Sequence, residues 1–283
     1  MNDPARPAPE PSPAAASATY VNRRRWWIHL LLLGAYPLVV GLGGLGGDSA
    51  RSPALSGDAR GLLLACAWEL LIFSLVFGFA WFTSRASFET LWLRWRVGIW
   101  AIPLGIGYSI AIRVLLGVML LTLGTFLVVT GTTTAGELRE FFLANRPDVE
   151  AVVDVTALRE NPLYFWLTIT LVSFVVAGLR EELWRAGLLA ALRTLWPRWF
   201  GSRVGQMGAV AIAAAIFGLG HLPQGLLAVF LTGFLGLLLG FIMVLHRTIW
   251  PAVLAHGMFN ATSFALLPWA TERLLEIGST LEQ

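Results

Sequence analysis

Charge is what this chain has least of. Only 13% of its 283 residues are Asp, Glu, Lys or Arg, against about 25% in a soluble domain. With 57% hydrophobic residues and a mean hydropathy of +0.70, a water-soluble fold of this length could not hide its apolar surface. A bilayer can receive it, because lipid is the solvent for the outer faces. Cysteine is nearly absent too. Cys66 stands alone, so an internal disulfide and a Cys-based metal site are both excluded. No internal repeat is evident.

What is present fits lipid. The 13 Trp suit membrane interfaces, and the 29 Gly suit close helix approach. The formal net charge of +3 and pI of about 9.6 do not point to nucleic acid. The basic residues are spread through short loops, where positive-inside sorting puts them. The expected fold is all-α, a polytopic transmembrane bundle. Since a span needs about 20 apolar residues, the chain reads as about seven spans. They cover roughly 26–46, 61–83, 97–131, 163–192, 204–222, 225–245 and 249–268. Arg23–Arg25, the loop with Arg85, Arg94 and Arg96, the loop with Arg193, Arg198 and Arg203, and Arg247 fall on one side. That side should be cytoplasmic, with a cytoplasmic N-terminus and an exterior C-terminus. Residues 1–22 read as a disordered Pro/Ala-rich tail. Residues 23–162 hold the first helices and a polar exterior loop with a short amphipathic helix. Residues 163–268 hold the polar late helices, and 269–283 a C-terminal tail.

Ionisable groups inside a bilayer cost about 2.5–3.5 kcal/mol each on translocon scales and mark function by default. Glu69 and Arg113 are single charges, expected to pair with each other or to snorkel, and they are not placed in a site. Arg180-Glu181-Glu182-Leu183-Trp184-Arg185 is different. It sets two adjacent carboxylates and two arginines in an apolar helix, and Arg185 can reach Glu181 at i+4 and Glu182 at i+3. The bland alternative is a solvated helix end. The next helix ends Phe217-Gly218-Leu219-Gly220-His221, and the last contains His256-Gly257-Met258-Phe259-Asn260, with His256 and Asn260 one turn apart. Each could be an interhelical hydrogen-bonding group. His246, beside Arg247 in a short turn, is expected to be solvated. Burying all the others unpaired would be costly, so they should meet around one cavity.

Two carboxylates, two imidazoles and a carboxamide suit hydrolysis. Glutamate can take a proton from water, histidine can share it or bind a metal, and asparagine can donate to an oxyanion. There is no G-x-S-x-G elbow and no H-E-x-x-H zinc motif, so water is the expected nucleophile.

Glu-Glu, then Phe-x-x-x-His, then His-x-x-x-Asn on successive late helices resembles the CPBP family of intramembrane proteases, related to type II CAAX prenyl endopeptidase and also called Abi. The run His246–His256 is similar to the lead-in to that family's last motif. The resemblance covers about residues 163–268; the first three spans match only in being hydrophobic. The family's first motif is E-E-x-x-x-R, and here Ala186 stands at the Arg position while Arg185 comes one residue early. The resemblance implies that Glu181 activates water with help from His221. It implies that His256 and Asn260 steady the oxyanion, and that Glu182 and Arg185 position the site. A zinc held by Glu181, His221 and His256 stays open beside a metal-free mechanism. The implied substrate is a membrane-embedded or lipidated peptide, and the implied location the cell membrane, as a multi-pass protein. A non-catalytic scaffold or immunity-type protein of the same fold, and a small proton-coupled transporter, are the alternatives. The absence of a repeat or of paired broken helices speaks against transport. One geometric difficulty attends this reading. His221 lies about 18 residues from the cytoplasmic end of its span and His256 about seven, a depth mismatch of roughly 15 Å at a helical rise of about 1.5 Å per residue.

Overall fold

The computed structural model describes residues 22–45, 58–149 and 152–281. The expected tail over 1–22 therefore lies outside the described residues apart from Asn22. The described residues contain helices and no strand. They run α1 (Arg23–Leu45), α2 (Ala59–Ser84), α3 (Ala101–Val129, entered through a 3₁₀ turn at Gly98–Trp100), α4 (Ala135–Ala144) and α5 (Val155–Glu160). Next comes a continuous rod made of α6 (Pro162–Leu167), a π-helical stretch (Thr168–Leu179) and α7 (Arg180–Leu195). The order closes with α8 (Pro197–Phe200), α9 (Arg203–Leu219), α10 (Leu226–His246) and α11 (Trp250–Leu281).

Local chemistry sets the helix starts. Asp58 accepts from the Gly61 N–H at 2.8 Å to open α2, and Ser202 accepts from Gly205 to open α9. Asn161 caps α6, with Pro162 in the first turn. In the polar segment after α3, Thr134 and Glu137 form a reciprocal capping box that opens α4. The expected short helix of that segment is therefore present, with α5 as a second.

Four helical rods are long and apolar enough to cross a membrane by length and composition: Ala59–Ser84, Gly98–Val129, Pro162–Leu195 and Leu226–His246. This is fewer than the seven spans expected. The apolar helix α9 has 17 residues, about 26 Å at helical rise, short of the roughly 30 Å hydrocarbon core. Over their described residues, α1 and α11 do not reach the same measure. The last helix does not stop at 268 but continues through Pro268. Leu64, Trp68, Leu75 and Phe82 on α2 and Ile110, Leu121 and Val129 on α3 are exposed. A soluble monomer rarely displays such contiguous apolar faces, and lipid accepts them.

The tightest pairings are α9 with α10, α11 with the π stretch, and α11 with α3. Small residues permit the second. A Cβ on Gly178 would sit 3.0 Å from the Val253 carbonyl oxygen, and one on Gly257 would collide with the Phe174 ring. Polar pins hold other elements. His29, fully buried on α1, places Nδ1 2.9 Å from the Ala80 carbonyl and Nε2 3.2 Å from the Gly187 carbonyl, joining α2 and α7. The Trp184 indole donates to the Leu33 carbonyl at 2.6 Å.

The loop after α2 docks on the far ends of later helices. Arg193 donates to the Thr90 carbonyl and lies over the Trp92 ring, while Thr248 donates to the Arg94 carbonyl. The loop of Arg94, the end of α7 and the α10–α11 turn thus gather at one end of the bundle, as their arginines suggested. His246 departs from expectation. It is half-buried and hydrogen-bonded to the Tyr108 hydroxyl at 2.8 Å, because α3 packs across that turn and shields it from solvent.

Candidate functional site

The π stretch runs directly into Arg180-Glu181-Glu182. Its bonds close at i→i−5, as when Arg180 N–H donates to the Val175 carbonyl. Such widened turns are rare and cluster at functional sites. Ser173 takes up the slack, its hydroxyl donating to the Thr168 carbonyl five residues back.

The two glutamates point to different neighbours. Glu182 is fully buried, ion-paired to Arg185 on the next turn, and 3.1 Å from His256 Nδ1. Glu181 keeps 17% of its side chain exposed, accepts from Arg180 Nη2 at 2.9 Å, and lies 3.7 Å from His256 Nε2. His256 therefore stands between the two acids, brought there by the close approach of α11 to the π stretch. The bland alternative of a solvated helix end does not describe these carboxylates. Glu182 is sealed from solvent, Glu181 is largely so, and both lie beside His256 from a helix distant in the chain.

Arg185 is fully buried. Its ion pair is with Glu182, not with Glu181 as well. Its guanidinium lies 4.9 Å from the centre of the Phe217 ring, and among the described residues Nε and Nη2 have no hydrogen-bond partner. Glu181 is instead served by Arg180, because the one-residue shift that puts Ala186 in the family's Arg position turns Arg185 toward α9. A buried pair of this kind is costly to desolvate, and it leaves a still costlier lone charge if one partner is removed.

His221 sits just beyond the end of α9, in the turn before Gly225, whose φ of +98° favours glycine. Its Nδ1 donates to the Phe217 carbonyl at 2.8 Å. Its ring meets Phe217 edge-on at 4.7 Å, and Phe217 meets His256 edge-on at 6.1 Å. The two imidazoles are thus neighbours of one phenyl ring. α9 stops at Leu219, two residues before His221. Asn260 is half-buried on α11, one turn beyond His256.

Among the described residues no three His, Cys, Asp or Glu side chains converge as metal ligands. His221 Nδ1 is committed to the Phe217 carbonyl, which leaves Nε2 as its other ring nitrogen.

Three residues enter that the sequence had not assigned to the site. Glu69, from α2, is ion-paired to Arg180 and not to Arg113. Arg180 also donates from Nε to the Val176 carbonyl at 2.9 Å. The Tyr36 phenol of α1 faces Arg180, Glu69 and Glu181. The one sequence signal was the cost of a lone acid in an apolar helix; it demanded a partner without naming one. Arg113 finds its own on α11. It donates to the Phe259 carbonyl at 2.6 Å and to Thr262 Oγ1, and it lies over the Phe259 ring at 4.4 Å.

Comparison with known proteins gives a family match over the late helices. Residues 162–262 match the model of the family described as type II CAAX prenyl endopeptidase Rce1-like. No curated protein and no solved structure matches the chain. The matched segment contains Glu181, Glu182, Arg185, His221, His256 and Asn260, and leaves Tyr36 and Glu69 outside. Residues 162–262 are therefore similar to the type II CAAX prenyl endopeptidase Rce1-like family, and the chain is an integral membrane protein with a CAAX protease-like segment.

Proposed function

We propose that this protein is an intramembrane endopeptidase that hydrolyses a peptide bond in a membrane-embedded or lipidated substrate, with Glu181 as the base. One observation carries the reading: Glu181 Oε2 and His256 Nε2 face each other at 3.7 Å. The carboxylate of Glu182 beside Nδ1 favours a proton there, which leaves Nε2 an acceptor. Two acceptors at that separation need a donor between them. A water about 2.8 Å from each gives one hydrogen to either side and keeps its lone pairs for a carbonyl carbon.

The water oxygen attacks the scissile carbonyl while Glu181 takes its proton. The oxyanion accepts a hydrogen bond from the Asn260 carboxamide. Collapse breaks the C–N bond, and the proton held at Glu181 or His256 passes to the leaving amine. Glu182 and Arg185 fix the imidazole, and His221 acts from behind Phe217. The arginine-bearing end of the bundle faces the cytoplasm of the cell membrane.

The test uses purified protein in proteoliposomes with lipidated and transmembrane peptides. Glu181→Gln lowers turnover by about 10²–10⁴-fold, the usual contribution of general acid–base catalysis, while thermal unfolding is nearly unchanged. Undiminished hydrolysis by E181Q sinks the reading. A wild type that binds a membrane partner but cleaves nothing points to the scaffold alternative.

A further inference from the structure

We propose that Glu69 is a positioning residue of this site, acting through Arg180, so that the Rce1-like segment depends on α2 to hold its own base in place. This rests on the reading of Glu181 as the base.

Arg180 and Glu181 are consecutive residues of one helix, and consecutive side chains diverge around the axis instead of facing each other. For Arg180 to hold Glu181, its guanidinium must be bent across the helix surface and kept there. Three of its edges are anchored. Nε donates to the Val176 carbonyl one turn back, Nη2 donates to Glu181 Oε1, and Nη1 is ion-paired to Glu69. The first two contacts lie within its own helical rod. Glu69 is the carboxylate that reaches Arg180 from another helix, its side chain 30% exposed where Arg180 is 12%. A planar guanidinium held at both ends of its fork has a fixed plane, which a flexible ammonium would not.

The consequence reaches the reacting atoms. With Glu181 Oε1 committed to Arg180, Oε2 is the oxygen left toward His256 Nε2. Without Glu69 the Arg180 fork loses the carboxylate that ties it to another helix, and Arg180 and Glu181 can then swing together away from the imidazole. A bare interhelical ion pair between α2 and α7 would predict otherwise: less stability, with unchanged turnover per folded molecule.

The experiment uses the full chain in proteoliposomes, comparing wild type with E69Q, E69D, R180M, the E69Q/R180M double variant and E181Q, each checked by thermal unfolding. Expected is a fall in kcat of about a hundredfold for E69Q, the scale of a misplaced catalytic group, with KM within about twofold. E69D, which keeps the charge, recovers at least tenfold of the loss. The E69Q and R180M losses are not additive, since both act through one guanidinium. E69Q turning over like wild type, or additive losses, overturns the positioning role while a dead E181Q leaves the proposed function standing. An active E181Q, or a wild type that cleaves nothing, removes the base and this inference with it. Should E69Q fail to fold, Arg180→Lys is read in its place: it keeps the charge against Glu69 but loses the planar fork, and a kcat within about twofold of wild type overturns the role.

Discussion

Glu181 and Glu182 are neighbours in the chain and strangers in the fold. One faces the wall built by α1 and α2, keeps 17% of its side chain open, and shares Arg180 with Glu69. The other faces α9 and α11, is sealed completely, and is matched to Arg185 and His256. The helical turn of about 100° per residue separates them, and each is paired with a different arginine of their own helix. The lesson is a division of labour. In the proposed mechanism the open acid is the one that meets water and substrate, while the sealed acid orients the imidazole beside it.

The sharpest way to break this contrast is to neutralise each acid and read both activity and stability. E181Q should abolish turnover at nearly native stability, whereas Glu182→Ala should lower stability by about 3–5 kcal/mol, because Arg185 is then buried without a counter-charge. Equal unfolding temperatures for the two variants in detergent would erase the distinction. Removing both members of the sealed pair sharpens it. Glu182→Leu with Arg185→Met should regain most of the stability lost by Glu182→Ala, since apolar replacement of a buried pair is often neutral or better. Turnover should stay low, because His256 loses the carboxylate that orients it.

A smaller effect is expected at the contact that seats His256. Gly257→Ala drives a methyl into the Phe174 ring and should cost about 1–3 kcal/mol as overpacking, with a larger fractional loss of kcat than of stability. Unaltered kcat would show that α11 can shift without disturbing the acids. The smallest effect lies outside both walls. Thr134→Ala should weaken α4 by about 1 kcal/mol through its lost cap, leaving turnover unchanged in the peptide assay. Hydrogen bonds from the Thr134 backbone N–H, and then from its hydroxyl and that of Thr133, hold the Glu137 carboxyl below the usual carboxylate range. A lowered folded-state pKa means stability present above the unfolded value and lost as pH falls through the folded one. α4 should therefore fray in acid below about pH 4, read as amide exchange in that segment.

Much of the bundle was legible in the sequence. The long apolar runs announced α2, α3, α6–α7 and α10. The carboxylate pair, both imidazoles and Asn260 stood out because ionisable and strongly polar groups are rare among such runs. Less legible were the partners. Arg185 satisfied the spacing rule for both glutamates, yet reaches one, because its rotamer is taken up by Glu182 and the Phe217 face. His246 looked like a turn residue in water until α3 crossed over it. Span number was less legible: four rods meet the measure by length and composition, while α9 is apolar but short and α11 is interrupted by His256 and Asn260.

By itself the sequence determined that the chain goes into lipid and that its late helices carry polar groups needing company, since charge scarcity and hydropathy are properties of composition and order along the chain. Which group meets which was decided by the tertiary structure alone. Glu69 lies 111 residues from Arg180, and Glu182 lies 74 from His256. Those pairings depend on helix rotation, on the widened π turns before Arg180, and on two glycines that let α11 close in, none of which one-dimensional spacing encodes.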